Sequence, residues 1–267
     1  MSYLMHHGIK GQKWGVRRYQ NRDGTYTSEG KRRRNGTELT VHSGQKLIRI
    51  SEPNDTSIKE GMYYSLASEQ QDVDKYVGLY ADFMKKSGKN VVMQVLESNG
   101  KMSMPTHKKS VTLMEHTLDS LHFRTDKTKQ EALRKHFKET DIENASEDVY
   151  FKKASKQFDQ YLKTGKVGND LYDCLNVDFA FRSSPIMQDI ANRFYHTCSD
   201  NGYDIIKDIN DSKYGDMHAK IPIILANASK VKMSSIRNIN DADISNARKN
   251  LDQKDVREWD NNSSFKA

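Results

Sequence analysis

The sequence predicts an α+β fold of small, split β-sheets with flanking helices and a helical insertion, preceded by a short basic segment. Three observations predict it. Short β-prone pieces open the globular part and return late, at 203–209 and 221–227. Between them lie windows whose apolar residues recur at three and four spacing, the period of an amphipathic helix. The surplus charge sits in the first 34 residues, where apolar content is too low to offset the entropy of ordering.

Residues 1–36 interleave Tyr3, Trp14, Tyr19 and Tyr26 with basic side chains, and Asp23-Gly24 signals a turn that can close a small hairpin. Lys31 to Gly36 reads as an exposed linker. The domain spans 37–240. Leu39, Val41, Leu47, Ile48 and Ile50 form short strands broken by Ser43-Gly44, and Met62 to Leu66 is the next strand. Residues 68–86 read as a helix through Val73, Tyr76, Val77, Tyr80 and Phe83. Asn90 to Leu96 carries the buried strand VVMQVL, while Val111 to Leu113 is either a short strand or a helix start. The helical insertion covers about 115–200, with amphipathic windows at Lys127 to Glu139 and Ser146 to Lys163. Pro185 opens a further helix that runs to about Ser199, and Asn201-Gly202 stops it. Residues 241–267 read as a polar, helix-prone tail that ends in a disordered-looking NNSSFKA.

The charge is informative once it is located. Nine basic residues (Lys10, Lys13, Arg17, Arg18, Arg22, Lys31, Arg32, Arg33, Arg34) face Asp23 and Glu29 in residues 1–34, a surplus equal to the +7 of the whole chain. The remaining residues balance to zero, so no basic groove is expected in the domain. Nucleic acid is a candidate partner through the basic segment alone, because affinity for it comes largely from neutralised phosphates. No window approaches the roughly 20 apolar residues of a membrane span, and Met1 to Gly15 has no signal-peptide core. Cys174 and Cys198 do not make a disulfide framework. His6 and His7 lack partners at zinc-ligand spacing, and no metal site is expected.

The run His6-His7-Gly8-Ile9-Lys10-Gly11-Gln12-Lys13-Trp14-Gly15, within Tyr3 to Arg33, resembles a short module of phage and prophage proteins of Gram-positive bacteria. It occurs at the ends of portal, head-morphogenesis and other head-associated proteins. The resemblance implies location in the host cytoplasm with packaging in the virion, and head or portal proteins as partners of residues 1–34. Trp14 and Tyr19 suit interface anchors, and Arg17 and Arg18 suit bidentate contacts to carboxylate or phosphate. A flexible basic tail with no defined partner is the competing reading.

From residue 39 onward the order of pieces resembles an ADP-ribosyltransferase-type domain. The residues that carry it are Leu47-Ile48-Arg49-Ile50-Ser51, Tyr63-Tyr64-Ser65 ahead of a helix with Tyr76, Gly202-Tyr203-Asp204-Ile205-Ile206, and Ile221 to Asn227. The resemblance implies NAD in a cleft between two small sheets. Arg49 would contact its pyrophosphate or ribose, Ser65 would support the site, and Tyr64 or Tyr76 would stack on the nicotinamide. It also implies a carboxylate beside a cationic, oxocarbenium-like state. Here the chain departs from the pattern: the family usually has a Glu at or just before the late apolar strand, and this chain has His218-Ala219-Lys220-Ile221-Pro222. No Glu occurs between Glu147 and Glu258, so an acid in its place would come from Asp204, Asp208, Asp211 or Asp216, of which Asp208 is taken as the candidate while the choice among them stays open. Three readings follow: an NAD-dependent transferase acting on a host protein, a non-catalytic interaction protein that keeps the fold, and a nucleic-acid-binding accessory.

Overall fold

The computed structural model describes residues 37–59, 66–139, 145–179, 184–214 and 217–262. The expected hairpin at Asp23-Gly24, the basic segment and most of the Met62–Leu66 strand lie outside these residues.

The architecture is α+β. A two-stranded sheet pairs β1 (Thr37–Val41) with β4 (Met102–Pro105), antiparallel. A second sheet sets β2 (Lys46–Ser51), β3 (Val92–Ser98) and β7 (Val231–Asn238) side by side, with β3 in the middle and both pairings antiparallel. A third pairs β5 (Ile205–Lys207) with β6 (Ile223–Leu225). The two-residue piece Leu66-Ala67 bridges the second and third sheets, bonding Ile48 on one side and Ile223 on the other. On the far side of β5, Asp204 N donates to Ser103 O at 3.1 Å. The split sheets thus form one interrupted ribbon.

Helix formation follows the sequence signals. The helix expected at 68–86 is α1 (Gln70–Lys75), a π-helical stretch Tyr76–Ala81 and α2 (Asp82–Lys86), end to end. Val111 to Leu113 falls inside α3 (His107–Ser120), whose N-cap Thr106 accepts from Lys109 N. Then come α4 (Lys127–Glu139), α5 (Ala145–Thr164), α6 (Asn169–Asp178) and α7 (Pro185–Asp200). Ser184 caps α7 and Pro185 occupies its first turn, where a missing N–H costs nothing. These five helices pack Phe123, Phe158, Tyr161, Phe179 and Phe194 into one core that reaches Ile206 and Ile224 of the third sheet.

The residues read as a polar tail, 241–262, are α8 (Asp241–Asn250) and α9 (Gln253–Asn262). A capping box of Asn240 and Asp243 starts α8. Their Ile244, Ala247, Leu251, Val256 and Trp259 are buried against the π-helical stretch and the second sheet. At the crossing, a Cβ on Gly78 would stand 3.1 Å from Arg248 N and 3.3 Å from the Ala247 carbonyl carbon, so only glycine fits without a shift. No described helix is long and apolar enough to cross a membrane.

Candidate functional site

Alternation along β2 decides where Arg49 points. Leu47, Arg49 and Ser51 share one face, and Ile48 and Ile50 the other. Leu47 belongs to the buried cluster that also holds Leu66, Leu96 and Ile223, so Arg49 leaves the strand on that side. It is 6 % exposed. A guanidinium buried to this degree needs its donors used, and Asp55 in the loop after β2 uses them. Arg49 Nη1 donates to Asp55 O at 2.7 Å, and Nη2 forms an ion pair with Asp55 Oδ2. Gln94, opposite Arg49 on β3 and fully buried, donates from Nε2 to the same carbonyl at 2.7 Å and to Ser51 Oγ at 2.5 Å. Arg49, Ser51, Gln94 and Asp55 are therefore one polar knot at the end of the β2–β3 pair. Among the described residues Gln94 Oε1 accepts no hydrogen bond.

Tyr76 lies on the opposite face, packed with Ile50 and Met93 in the cluster that α8 and α9 cover. Its phenol donates to Asp211 Oδ2 at 2.7 Å. Asp208 is fully buried and serves the backbone: its Oδ1 accepts from Asp211 N at 3.2 Å, and its own N–H donates to Pro222 O. Asp211 thus meets an aromatic side chain of the helix. Asp204 Oδ1 accepts from Asn227 Nδ2 at 3.1 Å at the far end of β5. Burial raises the Asp204 carboxyl above its ordinary value, against the opposing pull of Lys230 and Asn227.

One side chain senses both halves. Burial, and next the negative field of Asp211, push the Tyr80 phenol above its ordinary value, while Lys89 and Arg49 pull it back. Tyr80 stands one turn beyond Tyr76 in the π-helical stretch, a feature frequent at functional sites. Sequence reading singled out Tyr76 and Arg49 as site candidates, and not Tyr80 or Asp211. The signal for Tyr80 was its spacing of four from Tyr76; that for Asp211 was only its place among several aspartates. The structure brings Tyr76 together with Asp211, and Arg49 with Asp55. Arg49 and Tyr76 sit on different faces. Tyr64 and Ser65 lie outside the described residues.

Cys174 and Cys198 are buried, and burial raises both thiols, so neither has the lowered pKa of a nucleophile. Among the described residues no group of three or more His, Cys, Asp or Glu side chains is placed to hold a metal.

A model of a family of unknown function (DUF7211) matches residues 1–21, within the basic segment. No curated protein and no solved structure matches the chain.

Proposed function

We propose that the chain is a phage-particle-associated protein whose domain is ADP-ribosyltransferase-like in architecture and serves as a binding module, not as a transferase. The observation that carries this reading is the Arg49–Asp55 pair. The guanidinium that would grip the pyrophosphate of NAD already spends both its arms on Asp55. The chemistry of glycosidic cleavage also needs a carboxylate beside the developing cation. Asp208 is occupied with backbone beneath a turn, and Lys220 precedes the late strand where the family has glutamate. The interrupted ribbon joined through Leu66-Ala67 supports the architecture, and the HHGIKGQKWG run supports the phage context.

Deleting residues 1–34 tests the association with particles. Incorporation into virions is expected to fall to background with the domain still folded. Unchanged incorporation would contradict the proposal.

A second reading, an NAD-dependent transferase with Asp211 as the acid, is favoured by one observation: Tyr80 lies in the fields of both Asp211 and Arg49. In that case Asp211→Asn abolishes label transfer from NAD.

A further inference from the structure

We infer that a second site, separate from the Arg49 knot and independent of the function proposed above, binds a small phosphate-bearing anion. It is the cleft between α1, the turn after β5 and the loop before β6. The cleft has a volume of about 560 Å³, within the range of roughly 300–1,000 Å³ typical of small-molecule sites.

Its charged lining is Lys75, Lys207, Lys213 and Lys220 against Glu38 and Asp72, with His107 and His218 beside them. The acceptors are largely used up. Asp72 is fully buried, and its two oxygens accept from Lys220 N at 2.7 Å and Ile221 N at 2.8 Å. Glu38 pairs with Lys207 at 3.2 Å. The donors are not used up, because each ammonium carries three. Lys213 gives one to Asp173 at 2.9 Å, and Lys220 has no ion pair among the described residues. A donor-rich wall suits a ligand that offers only acceptors, as phosphate does.

The walls are built, not incidental. On one side Lys75 Nζ, itself 3.7 Å from Asp255, donates to His218 O at 2.9 Å. With the two bonds to Asp72 this fixes the loop with His218 at φ 43°, a left-handed backbone uncommon outside glycine. The exposed side chains of His218 and Lys220 are thereby held at the rim. Across the cleft, one buried carboxylate, Asp173, holds both His107 Nε2 at 2.6 Å and Lys213 Nζ. His107 is also the first residue of the 14-residue α3, so that helix presents its positive end there. Asp173 and Asp255 stand outside the lining and moderate its field, which sets a modest affinity.

Isothermal titration of the full chain with inorganic pyrophosphate at fixed ionic strength tests the site. Saturable binding is expected, weakened at least threefold by Lys213→Ala and by Lys220→Ala and at least tenfold by both together. Lys232→Ala, on β7 and paired with Glu97, is expected to leave it unchanged. Urea unfolding of each variant checks that the fold survives. Tighter binding of ADP would assign a nucleotide, and equal binding the phosphate itself; either supports the site. Absence of binding, or binding that neither cleft substitution weakens, would overturn the inference and, in the second case, put the anion on the basic segment.

Discussion

Cutting the Arg49–Asp55 pair from either side is predicted to give unequal losses. The Arg49 side chain is 8 % exposed and that of Asp55 46 % exposed. Asp55→Ala takes the carboxylate from a buried guanidinium and leaves it the Asp55 carbonyl, which it shares with Gln94. Stranding one member of a fully buried pair costs about 3–5 kcal/mol; half-exposure of the carboxylate reduces this, to about 2–4 kcal/mol. Arg49→Met removes the cation together with its need for solvation and keeps most of the volume. The abandoned carboxylate can hydrate, and Gln94 still serves the carbonyl, so the loss is about 1–2 kcal/mol. Urea unfolding of both single variants and the double variant measures this, with unchanged m-values as the check on a common unfolded state. The double variant should be less damaged than the sum of the singles by more than about 0.5 kcal/mol, the limit of ordinary additivity. A neutral Asp55→Ala would refute the reasoning, since a guanidinium content without its carboxylate is one available to a ligand. So would additive losses.

Three further outcomes follow from the same packing. Gly78→Ala ordinarily stabilises a helix by about 0.5–1 kcal/mol, but here the new methyl meets the Arg248 backbone at 3.1 Å, so a thermal melt should show destabilisation. Tyr76→Phe removes the donor to the buried Asp211 and should cost about 1–3 kcal/mol in a denaturant titration. Burial pushes the Asp173 carboxyl up, yet hydrogen bonds from His107 and Lys213 outweigh it and hold it below its ordinary value of 3.8. A folded-state pKa below the unfolded one contributes stability above that unfolded value, lost as pH falls through the folded pKa. Asp173→Asn should therefore flatten the acid limb of a stability–pH profile below about pH 4.

Much of the fold was legible because its apolar residues keep a period. Leu47, Ile48 and Ile50, the VVMQVL run and the Val73–Phe83 spacing announce β2, β3 and the helix between them. Pro185 marks the start of α7. Where polar residues do interior work the signal fails. In α6 most residues are buried, from Leu171 to Asn176 without a break: Asp173 holds His107 and Lys213, and Asn176 donates to Lys207 O and accepts from Ile209 N. No amphipathic stripe remains to be read. Strand β7, VKMSSIRN, is exposed along most of its length, so it carries no alternation. The tail at 241–262 looks polar because Ile244, Ala247, Leu251, Val256 and Trp259 are spread thinly over two short helices.

The candidate site was legible only by residue type. The buried position of Arg49 and the partnership of Asp211 rather than Asp208 with Tyr76 are matters of strand face and of where the turn Asn210–Tyr214 points. A run such as Asp208-Ile209-Asn210-Asp211 cannot tell which acid caps its own turn and which looks across to a helix. The pairing of Arg49 with Asp55, six residues on, depends on a loop whose path the local composition does not fix.

The most direct test of an internally committed Arg49 is transfer of label from adenine-labelled NAD into the proteins of a Gram-positive bacterial lysate, run with the unaltered chain and with Arg49→Ala. The prediction is no incorporation above background with either. Label that appears with the unaltered chain and vanishes with Arg49→Ala would contradict it.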